Sequence, residues 1–378
     1  MKNMYNNKLQ YKNGKFTILQ FADIQEISAF SPDTLRLMNR AIETAKPDLI
    51  IFSGDQLYGI APCYHTGKIE EKVRRVIKII CGVCEELNTP FAVTFGNHDN
   101  QCGVTNNAQA EIYLESPMCV AGEYFNEDDK GSMFIPLYDG KNKHILDIIL
   151  IDSGGQCPTG EYMAVTEKQI SDYRRLRKKY SENGITTPAV VFQHIPVPEY
   201  YNVLECAPFY EKGSVEAFRT HKNEWYRLPA KIKADGGFMG ESPATPDKNS
   251  GEFEALHEGG NVMALIVGHD HNNSFVAPYE GIDLVYTQGA GFNVYGPGKN
   301  RGARVVTLYE NNPKEYKTFT LTYSELCSEP LSKPLQEFVF THIPTSMEQV
   351  KRLAVVASAA FSLASIGIYG FYKKSKGK

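Results

Sequence analysis

Short apolar runs recur along the chain and alternate with stretches in which apolar positions return every three or four residues. The first pattern predicts buried strands at 49–52, 91–95, 145–151, 189–192, 262–267, 282–287, 304–308 and 318–322. The second predicts helices. One runs from 32 to about 45, with Ser31 at the cap and Pro32 in its first turn. Another covers 69–87, where Val73, Ile77, Ile80 and Val83 share one face. A third is opened by Thr166, with Gln169 three residues on to complete a capping box. Asn13-Gly14, between 9–12 and 15–22, is a strong two-residue hairpin signal. Strand and helix alternate through the first half and strands dominate the end, which predicts a layered α/β architecture closing with hairpin-like pairs. No internal repeat is visible. The interval 199–260 is rich in Gly, Pro and Glu without a period, and is expected to be an irregular insertion on the substrate side.

The last part of the chain breaks this pattern. Residues 353–372 are twenty positions without a charge, bracketed by Lys351-Arg352 and Lys373-Lys374. At helical rise such a run covers about 30 Å, the thickness of a bilayer's hydrocarbon core. The segment is therefore expected to be a C-terminal hydrophobic helix and single-pass membrane anchor, with Tyr369 and Tyr372 suited to one interface. This divides the chain into a body over 1–345 and an anchor with basic tail over 346–378. Residues 1–15 are polar and lack the apolar core of a secretory signal. The expectation is therefore a tail anchor with the body on the cytoplasmic side.

Charge and cysteine content exclude several function classes. The 40 basic and 44 acidic side chains leave a net charge of −4, so nothing favours bulk binding of nucleic acid. Eight cysteines in 378 residues are too sparse for a disulfide scaffold. Cys81 and Cys84 have the spacing of a redox dithiol, but they fall late in the 69–87 helix rather than at its N-terminus, where a thiol would be activated. They read as helix-packing residues.

The functional signal lies where strands end. Five of them run into polar, metal-compatible residues: Asp23, Asp55, Asn97-His98-Asp99, His194, and His269-Asp270-His271. In open α/β sheets the loops at the carboxyl ends of strands converge on the site. One such ending means little, because turns favour Asp and Asn. Five endings that supply histidines, aspartates and an asparagine point to a metal centre built from mixed nitrogen and oxygen donors.

In this order, Asp23-x-Gln25, Gly54-Asp55, Gly96-Asn97-His98-Asp99, His194 and Gly268-His269-Asp270-His271 resemble the motifs of the calcineurin-like metallophosphoesterase superfamily. The strings Gly54-Asp55-Gln56-Leu57, His194-Ile195-Pro196-Val197-Pro198-Glu199-Tyr200 and Gly291-Phe292-Asn293-Val294-Tyr295-Gly296 look most like the purple acid phosphatase 29-like branch and its fungal phosphatase relatives. The resemblance implies a sandwich of two mixed β-sheets flanked by helices, hydrolysing phosphate esters with a hydroxide that bridges two metal ions. It implies Asp23, Asp55 and His271 around one ion, and Asp55, Asn97, His194 and His269 around the other. Such a donor set suits Mn, Fe or Zn, divalent or mixed-valent, better than Ca or Mg. His98 is implied as the general acid, with Asp99 fixing its tautomer and orientation.

Two further residues are ligand candidates. Gln25 stands where that branch commonly has histidine, and Tyr58 is spaced from Asp55 like the tyrosine ligand of true purple acid phosphatases. The expected function is hydrolysis of phosphomonoesters or phosphodiesters. Phosphoprotein phosphatase and nucleotide phosphodiesterase activities are alternatives within the same fold. A membrane-tethered binding module with an impaired first metal site is the alternative from another class, favoured by Gln25. A phosphate-ester substrate and the membrane are the expected partners, with no nucleic acid, and the sequence leaves the oligomeric state open.

Overall fold

The structure, a computed structural model, describes residues 8–342. Strands and helices are numbered along the chain. A five-stranded sheet has the order β17 (Tyr316–Thr322), β16 (Gly302–Tyr309), β2 (Lys15–Phe21), β3 (Leu49–Ser53) and β4 (Phe91–Thr94). Its β2, β3 and β4 are parallel, while β16 and β17 add on antiparallel. A nine-stranded sheet follows the order β1 (Leu9–Gln10), β6 (Asp129–Tyr138), β7 (His144–Ile151), β8 (Ala189–Gln193), β13 (Val262–Val267), β15 (Ile282–Tyr286), β14 (Asn273–Tyr279) and β12 (Phe238–Met239), with β5 (Glu123–Asn126) also paired to β6.

Period-two alternation stacks these sheets. On β2, Phe16 and Ile18 point into the space between the sheets and meet Ile148, Phe192 and Ile266. Leu19 and Phe21 point the other way, against residues of helices α1 (Pro32–Ala45), α2 (Ile69–Glu86) and α3 (Asn106–Tyr113). The same division holds on β7. Ile148 and Leu150 face inward, while Ile149 and Ile151 pack with Ile170 and Leu176 of α4 (Glu167–Lys179) and Phe253 of α6 (Glu252–His257). Helix, sheet, sheet, helix is the resulting order of layers, and the mixed-sheet α/β sandwich is the expected one.

The predicted caps form as read. Ser31 accepts the Thr34 N–H, and Thr166 and Gln169 form the reciprocal capping box. Cys81 and Cys84 lie buried in α2, and burial pushes both thiols up, the reverse of what a redox dithiol needs.

Two local expectations are corrected. Asn13 and Gly14 make the left-handed turn, with φ of 53° and 77°, and Lys12 and Lys15 exchange both backbone hydrogen bonds. The ladder stops there. Leu9 pairs instead with Leu137 in the other sheet, because Leu9 and Tyr11 are buried in the core between the sheets. The arm before the turn therefore ties the sheets together. Of the closing strands only β16 and β17 pair with each other, while β15 pairs with β13 and β14 in the other sheet.

The interval 199–260 holds a small three-stranded sheet of β10 (Val215–Glu216), β11 (Trp225–Arg227) and β9 (Glu205–Cys206), besides the short helix α5 (Ala230–Ala234), β12 and α6. Strands of two or three residues are too brief to print a period on the sequence. Helix α7 (Tyr323–Leu326) follows β17, and the chain divides into two units at Ser332. In the second unit the described residues form α8 (Pro334–His342). No helix among the described residues is long and apolar enough to cross a membrane. The segment 353–372, expected as the anchor, lies outside the described residues.

Candidate metal centre

Each parallel strand of the sandwich ends beside the next, so the polar residues that follow them meet. Asp23 follows β2 and Asp55 follows β3, both at φ of 53°. Non-glycine residues rarely adopt this left-handed conformation, and it is held only where the surroundings over-determine it. Here the Asp23 N–H donates to the Gly54 carbonyl and the Gln25 N–H to the Asp55 carbonyl, locking the two loops edge to edge. Close approach explains the neighbouring glycines. A Cβ on Gly96 would fall 2.3 Å from Asp55 Oδ1, and one on Gly54 would fall 2.6 Å from the His194 ring.

Asp23, Asp55 and His194 bring three ligand atoms within 4.8 Å of one another, all buried. His194 Nε2 lies 3.2 Å from Asp55 Oδ2 and 3.8 Å from Asp23 Oδ1. His269 Nδ1 lies 3.3 Å from that same His194 nitrogen, and His271 Nε2 lies 3.3 Å from Asp23 Oδ1. Gln25 joins the cluster through its amide nitrogen, which donates to Asp55 Oδ2 at 2.9 Å and lies 3.1 Å from His271 Nε2. Three buried atoms are left with no hydrogen-bond partner: Asp23 Oδ1, Asn97 Oδ1 and His269 Nε2. Buried polar atoms are nearly always paired, and unpartnered lone pairs on residues at these strand ends are what a cation would satisfy. The donor set therefore fits metal.

Electrostatics agree. Burial raises the Asp55 carboxyl, but the neighbouring His194 and His98 outweigh it and hold it below its ordinary value. Burial lowers His194, while Asp55 and Asp23 more than compensate and bring it to about 9. His269 goes far the other way, through burial and the His194 charge beside it. Asp55 held ionised and His269 held neutral are in the states that metal ligation needs, whereas a bound ion would displace the proton that the carboxylates hold on His194.

Asp99 is corrected in role. Its carboxylate accepts the backbone N–H groups of Asp55 and Gly96 on Oδ2, both at 2.8 Å, and of Leu57 on Oδ1 at 2.9 Å. Burial and the nearby Asp55 push it up to about 8, against the Gly96 and Leu57 bonds. Asp99 thus fastens the loop that carries Asp55 and does not hold the His98 ring. The partner of His98 Nδ1 is Gln101 Oε1, at 2.5 Å in the same turn. His98 itself is at the rim, its side chain 22% exposed, with Nε2 4.0 Å from Asp55 Oδ2. Tyr58 meets the site edge-on against the His98 ring, with centroids 5.8 Å apart.

Around these residues stands a supporting layer, of which the sequence motifs contain Asp270 and the 291–296 string but not Glu241. His271 Nδ1 bonds the Tyr295 carbonyl at 2.8 Å, and its ring stacks on Tyr295 at 4.2 Å. Glu241 accepts the Tyr295 hydroxyl and the Asn272 N–H, clamping the loop after His271. Asp270 turns away from the ligands, accepting from the Tyr286 hydroxyl and the Ala244 N–H. Asn293 donates to Glu26 just after the first motif, which gives the 291–296 string a structural purpose.

The calcineurin-like phosphoesterase family model matches residues 16–273, which span every one of these strand ends. The chain belongs to the calcineurin-like phosphoesterase family. Among its relatives are two Arabidopsis thaliana proteins. "Probable inactive purple acid phosphatase 14" is 27% identical over 78% of this chain and 75% of its own length. "Probable inactive purple acid phosphatase 29" is 25% identical over 82% and 81%. Phosphatase DCR2 of Saccharomyces cerevisiae is 24% identical over 69% of this chain and 45% of its own. The fold is shared with a dimetal phosphatase from Danio rerio, at a TM-score of 0.51 and 13% identity, over 82% of this chain and 99% of that one.

Proposed function

We propose that this chain hydrolyses phosphate esters, mono- or diesters, using two divalent cations held by Asp23, Asp55, Asn97, His194, His269 and His271. The observation that carries this reading is the buried cluster of Asp23, Asp55 and His194 ligand atoms within 4.8 Å of one another, with His269 and His271 against it. Asp55, whose carboxylate lies between the two groups of donors, would serve both ions. Asp23 and His271 complete one set, and Asn97, His194 and His269 the other. Bound there, Mn, Fe or Zn would neutralise the anionic phosphate oxygens and acidify a water for attack. His98, steadied at Nδ1 by Gln101, keeps Nε2 for protonating the leaving oxygen.

His98→Ala tests the assignment. On alkyl esters, turnover is expected to fall by ~10²–10⁴-fold, the range of general acid–base help. On aryl esters with acidic phenols the loss should shrink, because those leaving groups need no proton. An equal loss across both series would make His98 a binding residue. Phosphoproteins and nucleotides belong in the same substrate panel, since the cations would contact only the phosphate.

Gln25 supports a second reading, a phosphate-binding module without turnover. As placed, it presents an N–H donor, not a ligand oxygen, to Asp55 and His271. Tight phosphate binding with no hydrolysis of any ester in the panel would favour it.

Residues 353–372 are proposed as a membrane anchor on their length and lack of charge. The full chain is expected to sediment with membranes and resist high-salt and alkaline extraction, while Leu363→Lys with Ile366→Lys should release it. An unaltered chain found in the soluble fraction would end this proposal.

A further inference from the structure

One wall of the metal centre is made by a segment that no ligand motif includes. Between β7 and α4 the chain passes over His269, and Tyr162 sets its ring perpendicular to that imidazole, with centroids 4.4 Å apart. Phe218, from the 199–260 interval, also packs against Tyr162, with centroids 5.5 Å apart. Arg219 fastens the two segments. Its guanidinium pairs with Asp247 at 2.8 Å, reaches the Thr159 carbonyl at 3.4 Å and lies 4.0 Å from Glu161. Its backbone is held at φ of 25°, a strained value for a residue with a side chain. The Tyr162 ring is thus held by two ring contacts, and the segment that carries it by an ion pair.

The hydroxyl is the unexplained part. Tyr162 is only half-buried, and its phenol oxygen makes no hydrogen bond to another described residue. Neighbouring site tyrosines differ. Tyr295 donates to Glu241 and Tyr286 to Asp270. If packing on His269 were the whole role, phenylalanine would serve, and a polar tip beside a metal pocket would be superfluous.

We propose that Tyr162 is a substrate-contacting residue, donating its hydroxyl to a non-bridging oxygen of the bound phosphoryl group while its ring holds His269 in place. A phenol remains protonated at neutral pH, so it donates to an oxyanion without adding charge. This inference rests on the phosphoesterase reading only for the identity of the ligand, a phosphoryl oxyanion.

The test is binding of inorganic phosphate to the metal-loaded full chain, followed by calorimetry, with metal content measured alongside. Tyr162→Phe keeps the ring and is expected to weaken phosphate binding by about ten-fold, the usual scale for a hydrogen bond to a charged group, with metal content unchanged. In the ester assay the loss should sit mainly in KM. Phosphate affinity in Tyr162→Phe equal to that of the unaltered chain would overturn the proposal, even if Tyr162→Ala loses metal, because the ring alone would then account for the residue. Normal phosphate binding by the unaltered chain with no ester hydrolysis would end the hydrolytic reading, while the Tyr162→Phe comparison would still decide this one.

Discussion

Asp55→Asn is expected to cost the protein its metal and its activity together. The substitution is nearly isosteric and keeps an oxygen for the His98 N–H, which Asp55 Oδ1 accepts at 2.7 Å, so the loop should retain its shape. The second anionic oxygen is lost. Oδ2 is the atom on which His194 Nε2 and the Gln25 amide both converge. Losing an outer partner of a metal ligand typically costs ~10–100-fold in affinity, and a residue assigned to both ions should exceed that. Heat provides an independent reading. Metal at about 100 times its dissociation constant should stabilise the unaltered chain by ~2.7 kcal/mol, and the same concentration should barely move the variant. Near-normal turnover with full occupancy in Asp55→Asn would sink the two-metal assignment.

Much of this site is legible in sequence because strand ends are simple to read. A buried apolar run ending in Gly-Asp or Gly-Asn-His-Asp fixes both where the side chain lies and why the glycine is there, and β3 and β4 carry that signal without interruption. Strand β6 does not. Its run Asp129–Tyr138 contains Gly131 and Pro136, both of which argue against a strand, yet it lies next to β7 with Pro136 opposite Asp147. Pairing with a well-formed neighbour overrides the local signal. Supporting residues are harder still. Gln101 could have been found, since three residues in one tight turn bring it back to His98. Glu241 and Tyr162 could not, because each comes from an irregular segment whose path is set by packing. The role first given to Asp99 fails for a related reason. Asp99 follows His98 directly in sequence, yet its carboxylate accepts the N–H groups of Asp55, Leu57 and Gly96 while Gln101 meets the His98 ring.

That reassignment makes Asp99→Ala the more damaging change to the fold. Asp99 is fully buried and satisfies the N–H groups of Asp55, Leu57 and Gly96, three donors that truncation would leave without their acceptor. Leaving a buried donor unpaired costs ~1–3 kcal/mol each, set against a total stability of roughly 5–15 kcal/mol for a typical domain. A loss of about 3–5 kcal/mol is therefore expected in chemical denaturation, with metal binding falling as the Asp55 loop loosens. Asp99→Asn retains one acceptor oxygen but turns an NH2 toward the remaining donors, so it should fall between. Gln101→Ala should leave stability nearly unchanged and lower turnover on alkyl esters more than on aryl esters, by loosening the His98 ring. A double-mutant cycle separates the two roles. Were Asp99 to act through the His98 ring, the turnover lost in Asp99→Asn would vanish in a His98→Ala background. If it acts by holding the Asp55 loop, the two losses should multiply, because one variant removes a proton donor and the other disturbs the ligands.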